Sequence, residues 1–415
     1  VAGLGEPEWR RDRRRAAQAW LAAHDLPTTR DESWRYTPVA DVVAALERAV
    51  PAPPAPRLVP AIIDALAGDL GGVRVVFVDG RFDPAASRLG DGRDGVAAGP
   101  FSLGFGATGP DGAAAPPPDG FVALNDAAGG DGVAVDVSGG VELEAPIHVV
   151  HVVAHAGDAP TSAQPSTMVR VGPAGHARLV ESYVGTGASG LTNAVTVIDV
   201  GEGASLGYHR VQDEGAEAVH VGHVTIGAER DARVHVTSFH LGAAVARVAV
   251  DVTLAGDGAE VELDGLSVPA TGHHHDQVVR VDHAASHGRS VERFKAVVAD
   301  RAHAAFTGHV IVGRGTVDTT AAQTSASLLL GPTARTDTRP WLEILADDVR
   351  CTHGATVGRL DDDALFYLRS RGLPLDEARR LLVEAFVAEL VDAVEPPSLA
   401  DHLRGRLASI TAARS

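Results

Sequence analysis

A chain of 415 residues with a formal net charge of −18 is a poor ligand for phosphate backbones, whose capture depends on clustered Lys and Arg, so nucleic acid is not an expected partner. Its single cysteine, Cys351, excludes a disulfide framework and points to a reducing compartment, the cytoplasm. With 46 glycines and only 4% aromatic residues, many short strands are expected in place of large packed helices.

The first region, residues 1–70, reads as helical. Ala16, Ala17, Trp20 and Leu21 fall at helical spacing, and Val39, Val42, Val43 and Leu46 do so again behind Asp41, a capping or first-turn residue. The basic run Arg10–Arg15 reads as a solvated helix face. No apolar leader core is visible, and no apolar run approaches the roughly 20 residues of a membrane crossing, so no membrane association is expected. The Pro-rich stretch Pro51–Pro60 reads as a stiff linker.

From residue 71 to residue 357 the period changes to two. Val133, Val135 and Val137 alternate with small or polar residues, as do Val248, Val250 and Val252, and such runs are half-buried strands. A Gly- and Pro-rich insert, Gly90–Gly120, reads as a mobile loop. A weak repeat runs through the region: a Gly-containing turn precedes an Ala that opens a strand, at Ala177, Ala204, Ala232 and Ala259. A period near 28 with more than one strand per unit predicts a β-solenoid whose coils stack over a Val/Leu interior.

After residue 358 the helical period returns. Leu365, Phe366 and Leu368 open one amphipathic segment, closed by Gly372 and Pro374. A second starts near Asp376 and is expected to bury Ala378, Leu381, Leu382, Ala385, Phe386 and Leu390, before Glu395-Pro396-Pro397 stops it. A short last helix follows from Ser398.

Two clusters carry candidate chemistry. Cys351 and His353 share one face if their segment is a strand, and a thiolate beside an imidazole is half of a soft-metal site. A buried cysteine that merely packs gives the same pattern. The pair cannot complete a site alone, because an iron–sulfur cluster needs about four protein ligands, mostly Cys, and the chain has one. Gly272-His273-His274-His275-Asp276 is the second cluster, open to a metal role or to structural placement on neighbouring coils. No Walker loop, Gly-x-Ser-x-Gly elbow or CxxC pair occurs.

The stretch Asp337-Thr338-Arg339-Pro340-Trp341-Leu342-Glu343-Ile344, continued by Asp347-Asp348-Val349-Arg350-Cys351-Thr352-His353-Gly354, resembles the signature of the SufB/SufD family of SUF-system iron–sulfur cluster assembly scaffold proteins. Leu365–Gly372 extends the likeness, and Glu32-Ser33-Trp34-Arg35-Tyr36-Thr37 resembles an amino-terminal motif of the SufD branch, as does the Cys-x-His-Gly version of the signature. Between Ala322 and Leu330 the chain has Ser and Ala where the family often has Asn. The resemblance implies a mainly β protein: a right-handed parallel β-helix core over residues 71–357, flanked by amino-terminal (1–70) and carboxy-terminal (358–415) helical domains. It implies a heterodimer with a SufB-like subunit, a homodimer being the alternative in isolation, and a carboxy-terminal domain that docks a SufC-like ATPase. It implies a non-catalytic scaffold that binds no cofactor stably alone, with Cys351 and His353 offered to a transient cluster or iron at the SufB interface.

The rival from another class is a β-helix carbohydrate-active enzyme. It needs an acid/base pair in a groove lined by sugar-stacking aromatics, yet Trp9, Trp20, Trp34 and Tyr36 all lie ahead of the expected coils. A purely structural filament is a third reading, against which the amphipathic carboxy-terminal segments argue for a defined partner.

Overall fold

The computed structural model describes residues 7–51, 58, 60–109, 117–154, 160–187 and 190–412. The fold is mainly β, a β-solenoid of about seven turns with helices at both chain ends. Successive strands alternate between two sheets. One holds Gly190–Val200, Val219–Ala228, Val245–Leu254, His274–His283, His303–Val312 and Arg335–Ile344, each parallel to the next. The other holds His176–Gly185, Ser205–Asp213, Arg233–His240, Glu260–Ser267, Arg289–Val298, Thr319–Leu329 and Val349–Arg359, again parallel throughout.

The register shows how the repeat works. His176, Ser205, Arg233, Glu260, Arg289, Thr320 and Arg350 stack one on another in the second sheet, so a coil takes between 27 and 31 residues. Entry to each of the first six of these strands passes through one residue with positive φ: Ala174, Gly203, Asp231, Gly258, His287 and Asp318. The next residue must then turn into the lumen with no room for bulk, and Ala204, Ala232 and Ala259 are at most 1% exposed there. Ala177 is not their counterpart. It pairs with Leu206, and the corner residue of its coil is Gly175, so the even spacing of the four alanines misplaces the first coil by two residues.

Valines, leucines and isoleucines fill one side of the lumen, among them Ile198, Val224, Ile226, Val250, Val252 and Leu263. The amino-terminal end of the stack is closed. Val96–Pro100 pairs antiparallel with Val133–Val137, and Gly90–Asp91 folds back on it, so the insert expected to be a loop supplies a two-strand cap. Residues 110–116 lie outside the described set. The cap arises because Val96 and Ala98 continue the apolar interior, a short signal that the surrounding glycines mask.

The helices clothe the outside. α1 (Glu8–Ala23), α2 (Val39–Arg48), α3 (Pro60–Ala67) and α4 (Gly120–Ala128) precede or interrupt the first coils. Of the expected linker, residues 52–57 and 59 lie outside the described residues, while Pro60 opens α3 at the position where a missing N–H costs nothing. The basic run of α1 is not a solvated face. Arg13 meets Asp126 of α4 at 2.7 Å, Arg14 donates to the Gly129 carbonyl, and Arg10 lies 4.4 Å over the Phe101 ring. Charge runs that dock on another element look the same in sequence as those facing water.

Trp34 anchors the amino-terminal region to the first sheet. Its ring is 1% exposed, stacks on Phe121 at 4.9 Å, carries the Arg247 guanidinium 3.8 Å above it, and donates from Nε1 to Asp119. Asp119 also caps α4 through the N–H groups of Phe121 and Val122. Three residues on, Thr37 donates to Asp276 at 2.5 Å, and the Ser33 carbonyl accepts from Arg247.

α5 (Asp362–Ser370), α6 (Leu375–Asp392) and α7 (Pro397–Ala412) follow the last strand. Val383, Val387, Leu390 and Val391 of α6, with Val394 just beyond it, pack with Leu399, Leu403 and Leu407 of α7 against Val211, Phe239 and Leu266 on the outer face of the second sheet. The buried face shares Ala378 and Leu390 with the expected one but is turned from the rest: Leu381 is exposed and Phe386 only partly covered, its ring flanked by Lys295. α6 is apolar on several sides, so spacing alone does not choose among them.

Trp34→Ala should cost about 3–5 kcal/mol of stability, the range for emptying a large buried ring. Urea unfolding read by circular dichroism would measure it; an unchanged midpoint would mean that the amino-terminal region is held by α1 and α4 alone.

Candidate functional site

Among the described residues nothing stacks above the last coil. Val349–Arg359 is hydrogen-bonded on one edge to Thr319–Leu329 and is the terminal strand of its sheet, as Arg335–Ile344 is of the other. From Thr352 to Arg359 every residue is exposed, Val357 at 52%. An uncovered parallel edge offers a row of free N–H and C=O groups to another chain.

Cys351 and His353 lie on this strand. Their register partners are Ala321 and Gln323, both lumen-facing residues, so the two side chains share the lumen side at the open end. Two positions apart on a strand is roughly 6.6 Å along the backbone, close enough to serve one metal centre. Cys351 is half-buried beside Val310, Val312, Ala321 and Leu342, and burial pushes its thiol above the usual range. The thiol is therefore not activated by this chain, and a metal or a cationic partner is needed to hold it as thiolate. His353 is exposed and makes no hydrogen bond or ion pair among the described residues.

Beneath His353 the lumen turns polar. Gln323 donates from Nε2 to Glu292 at 2.5 Å, and Glu292 sits on the next rung down, 1% exposed. Gln323 Oε1 and Glu292 Oε1 are both buried without a partner. Burial raises the Glu292 carboxyl from 4.5 to about 7, opposed only by the Gln323 hydrogen bond. Sequence alternation hides this pair, because Val291 looks like the inward residue and Glu292 the outward one. The informative signal is the register of the neighbouring strand, where Leu263 faces the lumen and pairs with Glu292.

The histidine cluster does not converge. His274 points outward to His303 at 3.0 Å, and His303 in turn reaches Asp337 at 2.7 Å. His275 points into the lumen near His240, and Asp276 outward to Thr37. Burial, and then His303, hold His274 neutral with a pKa of about 3. Among the described residues no group of three His, Cys, Asp or Glu side chains is arranged to hold a metal. The open end thus carries at most half a ligand set.

A cleft of about 450 Å³ lies on earlier coils, lined by Arg178, His209, His235, Glu260, Glu262 and Glu395 among others. It contains neither Cys351 nor His353, and no Trp, Tyr or Phe lines it, which removes the stacking platform that the carbohydrate reading requires. No described helix is long and apolar enough to cross a membrane.

Residues 152–386 match the family model described as SUF system FeS cluster assembly, SufBD core domain. The iron–sulfur cluster assembly protein SufD of Escherichia coli is 31% identical over 394 residues, covering 92% of this chain and 88% of that protein. A SufBD family iron–sulfur cluster assembly protein of Synechocystis is 29% identical over 417 residues, covering 95% and 89%. A SufBD family protein of Mycobacterium tuberculosis is 32% identical over 245 residues, covering 57% and 60%.

The Glu292 shift has a definite sign. The folded chain holds this proton up to about pH 7 and the unfolded chain releases it near 4.5. The folded state therefore binds more protons in that window, and stability falls as pH rises through it, by on the order of 3 kcal/mol at about 1.36 kcal/mol per unit. Glu292→Gln should be more stable than the parent at pH 8 and equal to it at pH 4 in chemical unfolding; equal stabilities at both would mean that Glu292 is solvated.

Proposed function

The chain belongs to the SufBD family of SUF-system iron–sulfur cluster assembly proteins, and from that premise we propose that it is a non-catalytic scaffold that pairs with a SufB-like subunit through its open last coil. The carboxy-terminal helices dock a SufC-like ATPase, and Cys351 with His353 completes a shared site at the paired edges. The nascent cluster is cargo of that site, and no cofactor stays with this chain alone. The work takes place in the cytoplasm, where a lone cysteine stays reduced.

The observation that carries this reading is the open last coil with Cys351 and His353 on its exposed strand. A partner edge would satisfy its backbone groups and cover Val357, and the partner's side chains would bring the missing ligands to one thiol and one imidazole. The ATPase surface is argued from α5. Asp361 caps it through the Asp363 and Ala364 N–H groups, no residue of it is fully buried, and Phe366 and Tyr367 are 75% and 57% exposed. Exposed aromatics grouped on one helix mark a docking surface.

The mechanism is a population shift. ATP-driven closure of two SufC-like subunits moves the docked helices of this chain and of its SufB-like partner. α6 and α7 are packed on the second sheet and tied to it by Lys295–Glu389, Arg178–Glu395 and Arg406–Asp213, so their displacement reaches the sheet that ends in Val349–Arg359. The strained edge contact then opens Cys351 and His353 to iron and sulfide.

Co-expression with SufB-like and SufC-like subunits tests this. Cys351→Ser and His353→Ala should each fold and co-purify normally while iron and sulfide per complex fall several-fold. Weaker folding or assembly with unchanged cluster content would assign both residues to packing. Val357→Arg should cut recovery of the SufB-like subunit and leave the SufC-like subunit bound; loss of both together would place the SufB contact elsewhere.

A further inference from the structure

His353 and the polar pair beneath it are complementary in a way that the cluster-site reading does not use. His353 is exposed, and among the described residues no side chain or backbone group hydrogen-bonds to its ring nitrogens. One rung below, in register, Gln323 presents an amide oxygen that is fully buried and also without a partner. A buried carbonyl oxygen left unpaired costs about 1–3 kcal/mol, so a donor brought to it is favoured. The amide cannot turn freely, because its Nε2 is already committed to Glu292 at 2.5 Å and its side chain is wedged against Gly308, where even a Cβ would stand 2.1 Å from Nε2.

The side chains around Glu292 offer Gln323 little competition. Leu263 lies below it in register, Phe294 is two residues along its strand, and Val279 and Phe306 pack in the same core cluster. Of the ionisable groups nearby in the lumen, His283 is engaged with Ser290 through Nε2 and is neutral. Gln323 is the only side-chain partner that Glu292 has among the described residues.

We infer that Glu292 and Gln323 are positioning residues for His353: Glu292 holds the Gln323 amide with its N–H directed inward, so that Gln323 Oε1 accepts an N–H from the His353 ring. That hydrogen bond selects one imidazole tautomer and one ring orientation. The other ring nitrogen is then left as a lone pair beside Cys351, facing the uncovered end, in the form that binds iron or takes a proton. Without the pair beneath it, an exposed histidine samples both tautomers and many rotamers. The inference deepens the role proposed for His353 and rests on that reading for its consequence, but the inferred hydrogen bond joins two residues of this chain and needs no partner subunit.

The test is therefore made on the isolated full chain. Ring-15N-histidine NMR at pH 8 reports the tautomer ratio of His353, with His353→Asn identifying its signals. The parent and Glu292→Gln, which keeps an acceptor for the Gln323 amide, should show one predominant tautomer. Gln323→Leu and Glu292→Leu should return the ratio to that of free histidine, with circular dichroism unchanged. Should either leucine variant fail to fold, Gln323→Met replaces it and the same ratio is expected. A parent already at the free-histidine ratio, or a ratio indifferent to Gln323, overturns the inference. Because no partner subunit enters the measurement, a lost cluster in His353→Ala complexes and a lost tautomer preference in Gln323→Leu are separate outcomes, and either one can fail without the other.

Discussion

The parallel backbone ladder is the constraint on which everything else in this molecule depends. Each strand of the solenoid satisfies its N–H and C=O groups on the coil below and the coil above, and on nothing else. Such a stack has no natural end. At the amino-terminal side the chain solves the problem itself, with Val96–Pro100 laid antiparallel on Val133–Val137 and the strand Gly90–Asp91 beyond it. At the other side there is no such strand among the described residues, although α5, α6 and α7 follow immediately. They pack on the outer face of the second sheet and leave its edge open. One end is finished and the other is an offer.

The ladder also explains why polar groups can live inside. Backbone pairing, not side-chain packing alone, holds the coils in register, so the lumen tolerates positions that an ordinary core would reject. Glu181 is fully buried yet accepts from Thr167, Thr196 and Tyr208, and those bonds with His151 outweigh its burial and bring its pKa to about 2. Glu292 has one hydrogen bond in place of several, and burial wins there. The same residue type in the same lumen thus carries opposite protonation, decided by how many donors reach it.

Much of this architecture is legible in the sequence, and the reasons are physical. The period-two valines mark strands because alternate side chains face opposite sides, and Ala204, Ala232 and Ala259 mark corners because the residue after a left-handed turn has no space. Cys351 and His353 share a face for the same reason of period. What stayed hidden depends on neighbours distant in sequence. The Arg10–Arg15 run docks on α4 across more than a hundred residues, and α6 could have buried any of several apolar faces. Glu292 is concealed by Val291, whose alternation suggests the opposite orientation until the register with Leu263 is known.

The closed end has a consequence for how the molecule is made. A ribosome delivers Val96–Val137 well before Val349–Arg359, so the cap exists while the stack is still growing. Each new coil finds the previous one waiting about 28 residues behind it, a short loop to close and a ready template to pair with. At any moment during synthesis only one raw edge is present, at the growing tip, and it is covered by the next coil to emerge. The edge that persists after release is the one bearing Cys351. A chain with the opposite arrangement would carry an adhesive surface through its whole biosynthesis; this one acquires it last, when a partner can be met at once.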